Sequence, residues 1–492
     1  MNWKRILKIL GFIMLVTGAF MILPMIVAFI YHEKDWVYFL ITIAGLAVIG
    51  TPLYLIKPDS QNFFSKDGFL IVALAWIVMG LAGAVPFCIS GLIPDYINAV
   101  FEAVSGFTTS GISILPDIEA ASHSLLFWRS LTHWIGGMGV LVFVLALLPV
   151  AGGASMFIMR AEAPGPTTDK VVPKISETAK FLYIAYLVLT VAEIISLVIA
   201  GLSVFQACII SFGTMATGGF SFLNTSLATF TIAQKVIVII FMFLAGVNFS
   251  LFFLVVTKKA KKALADTEFI WYAIIMACTV ALLTVSLYIS GKQLATFGET
   301  LTETAFAGVS AMTSTGFASG DYNQWPLFSQ GLMILVMFIG GCAGSTGGGL
   351  KVSRVVILMK SLRLYVKKKM HPRSVNVTFF NKQVISDEVI KDILIYFGMF
   401  IIIYAASMLV VTTEESMDFG TAFASVSTAI NNNGIEFHNA GALGFANYAW
   451  WSRIVFIIDM LIGRLEIFPI VILLGTITSP VRKAYRKIKR KV

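Results

Sequence analysis

The chain has 492 residues, 58% of them hydrophobic and only 13% charged, with a formal net charge of +10. A soluble protein would carry about 25% charged residues, so a set of soluble domains is excluded. Nucleic-acid binding is excluded as well, because the positive charge sits in short clusters beside apolar runs.

Apolar runs of membrane-spanning length recur along the chain. The predicted spans are 6–30, 36–56, 68–91, 124–148, 178–201, 232–257, 268–291, 327–361, 388–412 and 450–474. The first is too long for a signal peptide, and a second follows at once. The basic residues fall in clusters: Lys4, Arg5 and Lys8; Lys57 and Lys66; Arg160, Lys170, Lys174 and Lys180; Lys258, Lys259, Lys261 and Lys262; the segment 351–391; and the tail 482–491. Only Lys34, Arg129, Lys235, Lys292, Arg453 and Arg464 lie elsewhere. This asymmetry places the clusters and both termini on the cytoplasmic side, against anionic lipid. Cys88, Cys208, Cys278 and Cys342 lie far apart in apolar or Gly-rich stretches, with neither zinc nor disulfide spacing.

Four segments between spans, 95–123, 203–231, 297–326 and 416–449, run from apolar to Gly, Ser, Thr and Asn. Each is too short to cross and return as two helices. A short helix entering and an extended strand leaving fits, provided protein or water surrounds it. Phe101, Val104, Ser105, Thr108 and Gly111 match Phe306, Val309, Ser310, Thr313 and Gly316 in register. The other two segments carry Ser211 through Gly218 and Ser427 through Gly434. Gly111, Gly218, Gly316 and Gly434 are the expected focal glycines. Repetition of this kind signals repeated architecture. The expected fold is an all-α membrane protein with four span–pore-helix–span repeats around a pseudo-fourfold axis. The expected units are 66–155, 172–258, 266–370 and 385–478, after a two-helix extension (1–60) and before a basic tail (479–492).

The chemistry points to a dehydrated cation. Backbone carbonyls can replace its water shell, and glycine reaches the dihedrals that turn them inward. No carboxylate immediately precedes the focal glycines, which favours a monovalent ion over calcium. The acidic residues Glu33, Asp35, Asp95, Asp117, Glu119, Glu299, Glu303, Glu414, Glu415 and Asp418 are expected outside, where they concentrate cations. The span 327–361 is too long for one crossing, and six glycines in 340–349 break it. Lys351 follows, but no Gly-Lys-Ser/Thr motif or preceding strand supports a phosphate loop. Arg464 lies within an apolar run, where a charge is costly. It either pairs with Glu466 or Asp459 or faces the pathway. The five histidines are scattered, so no enzyme site is expected. A coupled transporter would need a coupling carboxylate, for which Glu193 and Asp459 are the candidates.

These features resemble the Trk/Ktr superfamily of potassium transporters, TrkH type. The resemblance covers almost the whole chain. It rests on Lys66-Asp-Gly-Phe-Leu, His133-Trp-Ile-Gly-Gly-Met-Gly, Arg160-Ala-Glu-Ala-Pro-Gly-Pro, Ile339-Gly-Gly-Cys-Ala-Gly-Ser-Thr-Gly-Gly-Gly and Gly463-Arg-Leu-Glu-Ile-Phe. It implies potassium uptake across a bacterial plasma membrane through a gated filter, K+ being the transported ion. It further implies a homodimer and a cytosolic nucleotide-binding subunit of the TrkA type. Filter roles fall on Thr108, Thr109, Ser110, Gly111, Ala216, Thr217, Gly218, Thr313, Ser314, Thr315, Gly316, Asn431, Asn432, Asn433 and Gly434. Gating falls on Gly344, Ser345, Thr346, Gly347, Gly348, Gly349 and Arg464: a Gly-rich loop under the filter and a positive charge that limits flow. A sodium- or proton-coupled symporter is the alternative reading.

Overall fold

The computed structural model describes residues 3–58, 65–139, 175–372, 377–414, 417–437 and 444–476. The predicted end of span 124–148, the Arg160–Pro166 motif, Glu415, His438 and the basic tail lie outside these residues.

The N-terminal extension comprises α1 (Trp3–Phe20), α2 (Ile22–Ile30) and α3 (Trp36–Leu55). Gly11 and Gly50 let α1 and α3 approach closely; a Cβ on Gly11 would lie 2.6 Å from the Gly50 oxygen. Four units follow, each with a first span, a pore helix and a second span. Unit 1 has α4 (Ser65–Ile89), α5 (Tyr96–Phe107) and α6 (His123–Gly137). Unit 2 has α7 (Ile175–Ile199), α8 (Val204–Met215) and α9 (Ile232–Ala245), continued by α10 (Phe249–Val256). A short helix, α11 (Ala260–Leu264), leads into unit 3. That unit has α12 (Thr267–Ile289), α13 (Phe297–Thr313), α14 (Leu327–Ile339) and α15 (Val352–Met370). A two-stranded hairpin, β1 (Phe379–Phe380) with β2 (Gln383–Val384), precedes unit 4. Unit 4 has α16 (Asp387–Val411), α17 (Phe419–Ile430) and α18 (Trp450–Leu465).

Each second span packs on the next unit's pore helix: α6 on α8, α9 on α13, α14 on α17, and α18 back on α5. The four units therefore close into a ring. One apolar core joins the extension to units 1 and 4, and another joins units 2 and 3. Large apolar side chains such as Val48, Ile199, Ile289 and Leu409 are exposed on the outer helices, as lipid contact requires.

Ten apolar runs are legible in the sequence, yet six described helices are long and apolar enough to cross a membrane, or seven with one bent pair. The difference lies in the second spans. In unit 2, α9 and α10 meet at 93°. In unit 3, residues 340–351 separate α14 from α15; the sequence reading puts an interruption at 340–349. In unit 4, α18 ends at Glu466 and Ile467, both with positive φ, before helix resumes at 468–476. In unit 1, α6 stops at Gly137. Only the break in unit 3 was expected; those in units 2 and 4 fall at Gly246–Asn248 and Glu466–Ile467, and the described part of unit 1 ends at Gly139.

Candidate functional site

Each pore helix begins on a side-chain cap. Asp95 accepts from Asn98 N–H, Ser203 from Gln206, Thr296 from Glu299 and Asp418 from Thr421. These capped ends satisfy donors that helix geometry leaves orphaned. For Asp418, the Thr421 hydroxyl is the main influence, and it holds the carboxyl below its usual range.

The inner ends are built alike. Thr109, Thr217, Ser314 and Asn432 take left-handed φ of 56°, 54°, 59° and 50°. The next N–H, of Ser110, Gly218, Thr315 and Asn433, reaches back five residues to Ser105, Gly213, Ser310 and Thr428. This helix-ending geometry reverses the chain at each pore helix's carbonyl end. Four helix C-termini, each with partial negative charge, thus converge on one point.

The common register corrects one sequence reading. The glycine equivalent to Gly111 and Gly316 in unit 2 is Gly219, not Gly218: Gly111, Gly219 and Gly316 take φ of 76°, 81° and 85°. Gly218 is kept small by the His133 ring, which a Cβ would meet at 2.5 Å. Gly434 holds the equivalent place in unit 4 without the positive φ of the other three.

These strands face one another. A Cβ on Gly111 would strike the Gly218 oxygen, one on Gly219 the Thr315 oxygen, and one on Gly316 the Gly434 backbone. A Cβ on Gly434 would sit 3.1 Å from the Gly111 oxygen. The circuit through units 1, 2, 3 and 4 therefore closes at these strands as it does among the helices.

Side chains fix the strands differently. Thr108 Oγ1 donates to Val104 O at 2.7 Å and lies 2.9 Å from Ser110 Oγ; Thr313 donates to Val309 O at 2.7 Å and lies 2.7 Å from Thr315 Oγ1. Unit 2 has Ala216 at that place, and Thr217 Oγ1 donates to Ala216 O at 2.6 Å. In unit 4 the asparagines are ties. Asn431 Nδ2 donates to Ser427 O at 2.8 Å, and Asn433 Nδ2 to Ala311 O at 2.9 Å. Asn432 Nδ2 donates to Ser110 Oγ at 2.7 Å and Met460 O at 2.9 Å.

Residues outside the predicted set brace this ring. His133, fully buried on α6, donates from Nδ1 to Gly106 O at 2.6 Å and accepts from Phe220 N–H at Nε2 at 3.2 Å. Arg129 pairs with Glu102 at 2.5 Å and donates to Ser221 O at 3.0 Å. Lys235 pairs with Glu303, and Arg453 donates to Asn98 Oδ1 at 2.7 Å. Arg129, Lys235 and Arg453 had stood out only as basic residues away from the inner clusters.

The Gly-rich loop lies directly beneath. A Cβ on Gly347 would come 2.6 Å from Thr313 O, and one on Gly348 would strike Asn431 O. Thr346 Oγ1 donates to Ala245 O at 3.2 Å, and Phe249 N–H donates to Gly344 O at 3.1 Å. Ser345 Oγ turns back to Cys342 O at 2.6 Å, and Gly349 takes φ 76° beside Gly340. Arg464 donates to Thr346 O at 2.7 Å, Gly136 O at 2.5 Å and Gly137 O at 2.6 Å, and reaches Thr109 Oγ1 at 3.4 Å. Glu466 pairs instead with Arg354, and Asp459 accepts from Ser407 Oγ at 2.7 Å. The geometry therefore places Arg464 between Thr109 of the first strand, the end of α6 and the Gly-rich loop.

A closed ring of four re-entrant loops over an intramembrane loop defines a pore-loop cation transporter. The chain belongs to the TrkH family, described as a cation transport protein, whose profile matches residues 36–483. It is 34% identical to the Trk system potassium uptake protein TrkH of Escherichia coli K12, over 96% of this chain and 98% of that one. It is 31% identical to the same organism's TrkG, over 94% and 96%. The crystal structure of the potassium transporter TrkH from Vibrio parahaemolyticus matches with a TM-score of 0.88 at 31% identity, covering 96% of this chain and 99% of that one. The chain is a multi-pass membrane protein.

Proposed function

We infer that this chain takes up potassium across the bacterial inner membrane, through a filter gated from below. The observation that carries this is the common helix-ending turn at Thr109, Thr217, Ser314 and Asn432. It brings four pore-helix C-termini and four short strands to one axis. A dehydrating monovalent cation there exchanges water for backbone oxygens, and the helix dipoles favour its charge. The transported ion is K+, held at the filter residues named above with Gly219 in place beside Gly218.

The loop 344–349 and Arg464 form the gate. The loop fills the space under Thr313 and Asn431, and Arg464 adds a positive charge to the same path. Its fork of donors binds three carbonyls, which favours a closed state. Relatives named as Trk system proteins support a role as the membrane subunit of a Trk-type system. A cytosolic nucleotide-binding subunit would open the gate, two copies of this chain would form the membrane part, and both termini would be cytoplasmic.

The test is ion flux in proteoliposomes, with rubidium against sodium, with and without the cytosolic partner. Rubidium influx that exceeds sodium influx and rises with the partner is expected. Equal influx of the two ions would overturn potassium selectivity. Uptake that required a sodium or proton gradient would favour the symporter.

A further inference from the structure

The Gly-rich loop loses more backbone freedom on ordering than any ordinary segment, so something must hold its ends. Its far end is also the start of α15, where the first N–H groups have no intrahelical partner. Lys351 stands at the cap position and makes no capping bond; an ammonium offers no acceptor.

The acceptor comes from another helix. Glu268 is buried in the first turn of α12. Its Oε1 accepts from Ala343 N–H at 2.7 Å and from Ser353 N–H at 2.9 Å. One oxygen thus holds the loop just after its first break and just after its last. A carboxylate at that helix N-terminus is also favoured by the dipole of α15.

Glu268 is itself placed from the cytoplasmic side. Asp266 Oδ1 caps α12 through the N–H groups of Glu268 at 2.9 Å and Phe269 at 3.0 Å. Asp266 Oδ2 accepts from Asn381 Nδ2 at 2.7 Å, and Asn381 Oδ1 accepts from Thr267 N–H at 2.7 Å. Asn381 and Lys382 form the two-residue turn of the hairpin, with φ of 49° and 63°. Asn suits such a turn because both residues are left-handed. The hairpin is tied in turn to the basic helix α15, where Lys360 Nζ donates to Phe379 O at 2.9 Å.

We propose that Glu268 is the positioning residue of the gate. It clamps both ends of the Gly-rich loop with one oxygen and is set in place by the cytoplasmic hairpin through Asn381 and Asp266. Moving the hairpin shifts the clamp and frees both ends together. The role in ion flow rests on the closed-loop reading above; the clamp itself does not.

Cys342 reports on the loop, because it is fully buried and its N–H donates to Gly246 O at 2.9 Å. The full chain carrying Cys88→Ala, Cys208→Ala and Cys278→Ala is reconstituted, and maleimide labelling and rubidium influx are measured together. Glu268→Ala is expected to raise both about tenfold, the scale of a lost charge-assisted hydrogen bond. Glu268→Gln keeps the acceptor and drops the charge, so it stays within about twofold of the parent. Asn381→Ala gives an intermediate rise. Parental labelling in Glu268→Ala overturns the clamp, as does an equal rise in Gln and Ala. If Glu268→Ala does not assemble, parental labelling in Asn381→Ala overturns it. Faster labelling with unchanged influx upholds the clamp and overturns the closed-loop reading.

Discussion

Arg464 Nη1 donates to the backbone oxygen of Thr346 at 2.7 Å, so a cation from the fourth unit is fastened to the loop of the third. Removing it takes away a bond to the Gly-rich loop and a charge beside the proposed path. Repulsion between unit charges about 4 Å apart is roughly 4 kcal/mol at intermediate dielectric. We expect Arg464→Ala to raise partner-free rubidium influx about tenfold or more, after screening by water in the path is allowed for. Unchanged influx in liposomes would sink the gating role.

Asn432 combines a left-handed φ of 50° with two amide bonds, to Ser110 Oγ and Met460 O. Asparagine tolerates that backbone better than most residues. Asn432→Ala loses both bonds and strains the turn. We predict a several-fold fall in the rubidium-to-sodium influx ratio, since the fourth strand is no longer held at a fixed distance. A ratio equal to wild type would show that Asn432 does not set selectivity.

Glu102 and Arg129 are almost wholly buried, at 0% and 2% exposure. Losing one partner strands the other charge, at a cost of about 3–5 kcal/mol. Arg129→Ala should therefore lower the thermal midpoint in detergent markedly. The double variant Glu102→Gln with Arg129→Met should recover part of that loss, because a neutral pair leaves no orphaned charge. Additive destabilisation by the two changes would contradict this pairing.

His133 joins pore helix 1 to the strand of unit 2 through Gly106 O and Phe220 N–H. His133→Phe keeps a ring beside Gly218 but strands Phe220 N–H, at about 1–3 kcal/mol, and leaves Gly106 O with the Thr109 N–H as its donor. Potassium stabilises a protein that binds it when folded. The expected result is a smaller rise in midpoint on exchanging NaCl for KCl. A full potassium-dependent rise would mean that His133 supports the fold alone.

The repeats were legible because glycine and hydroxyl residues recur between apolar runs. Composition alone marked the break at 340–349. The register of unit 2 was not legible, since Gly218 and Gly219 are adjacent and only the backbone distinguishes them. The seam pairs were half legible. Arg129, Lys235 and Arg453 stood apart from the inner charge clusters, but nothing in the sequence named Glu102, Glu303 or Asn98 as their partners. His133 looked like a stray histidine because its two partners are backbone atoms. The breaks in second spans 2 and 4 escaped because short interruptions such as Gly246–Asn248 and Glu466–Ile467 hardly alter local hydropathy.

The ring closes through a single polypeptide, with α18 of unit 4 packed against α5 of unit 1. In an assembly of four identical chains, any substitution appears four times around the axis. Here each position can change alone. Ala216 can stand where two other units have threonine, and three asparagines can gather in one strand, without imposing either choice on the remaining quadrants. Covalent continuity thus gives this pathway four independently adjustable walls, and a graded series of single-wall variants is open to it that a symmetric tetramer could not sample.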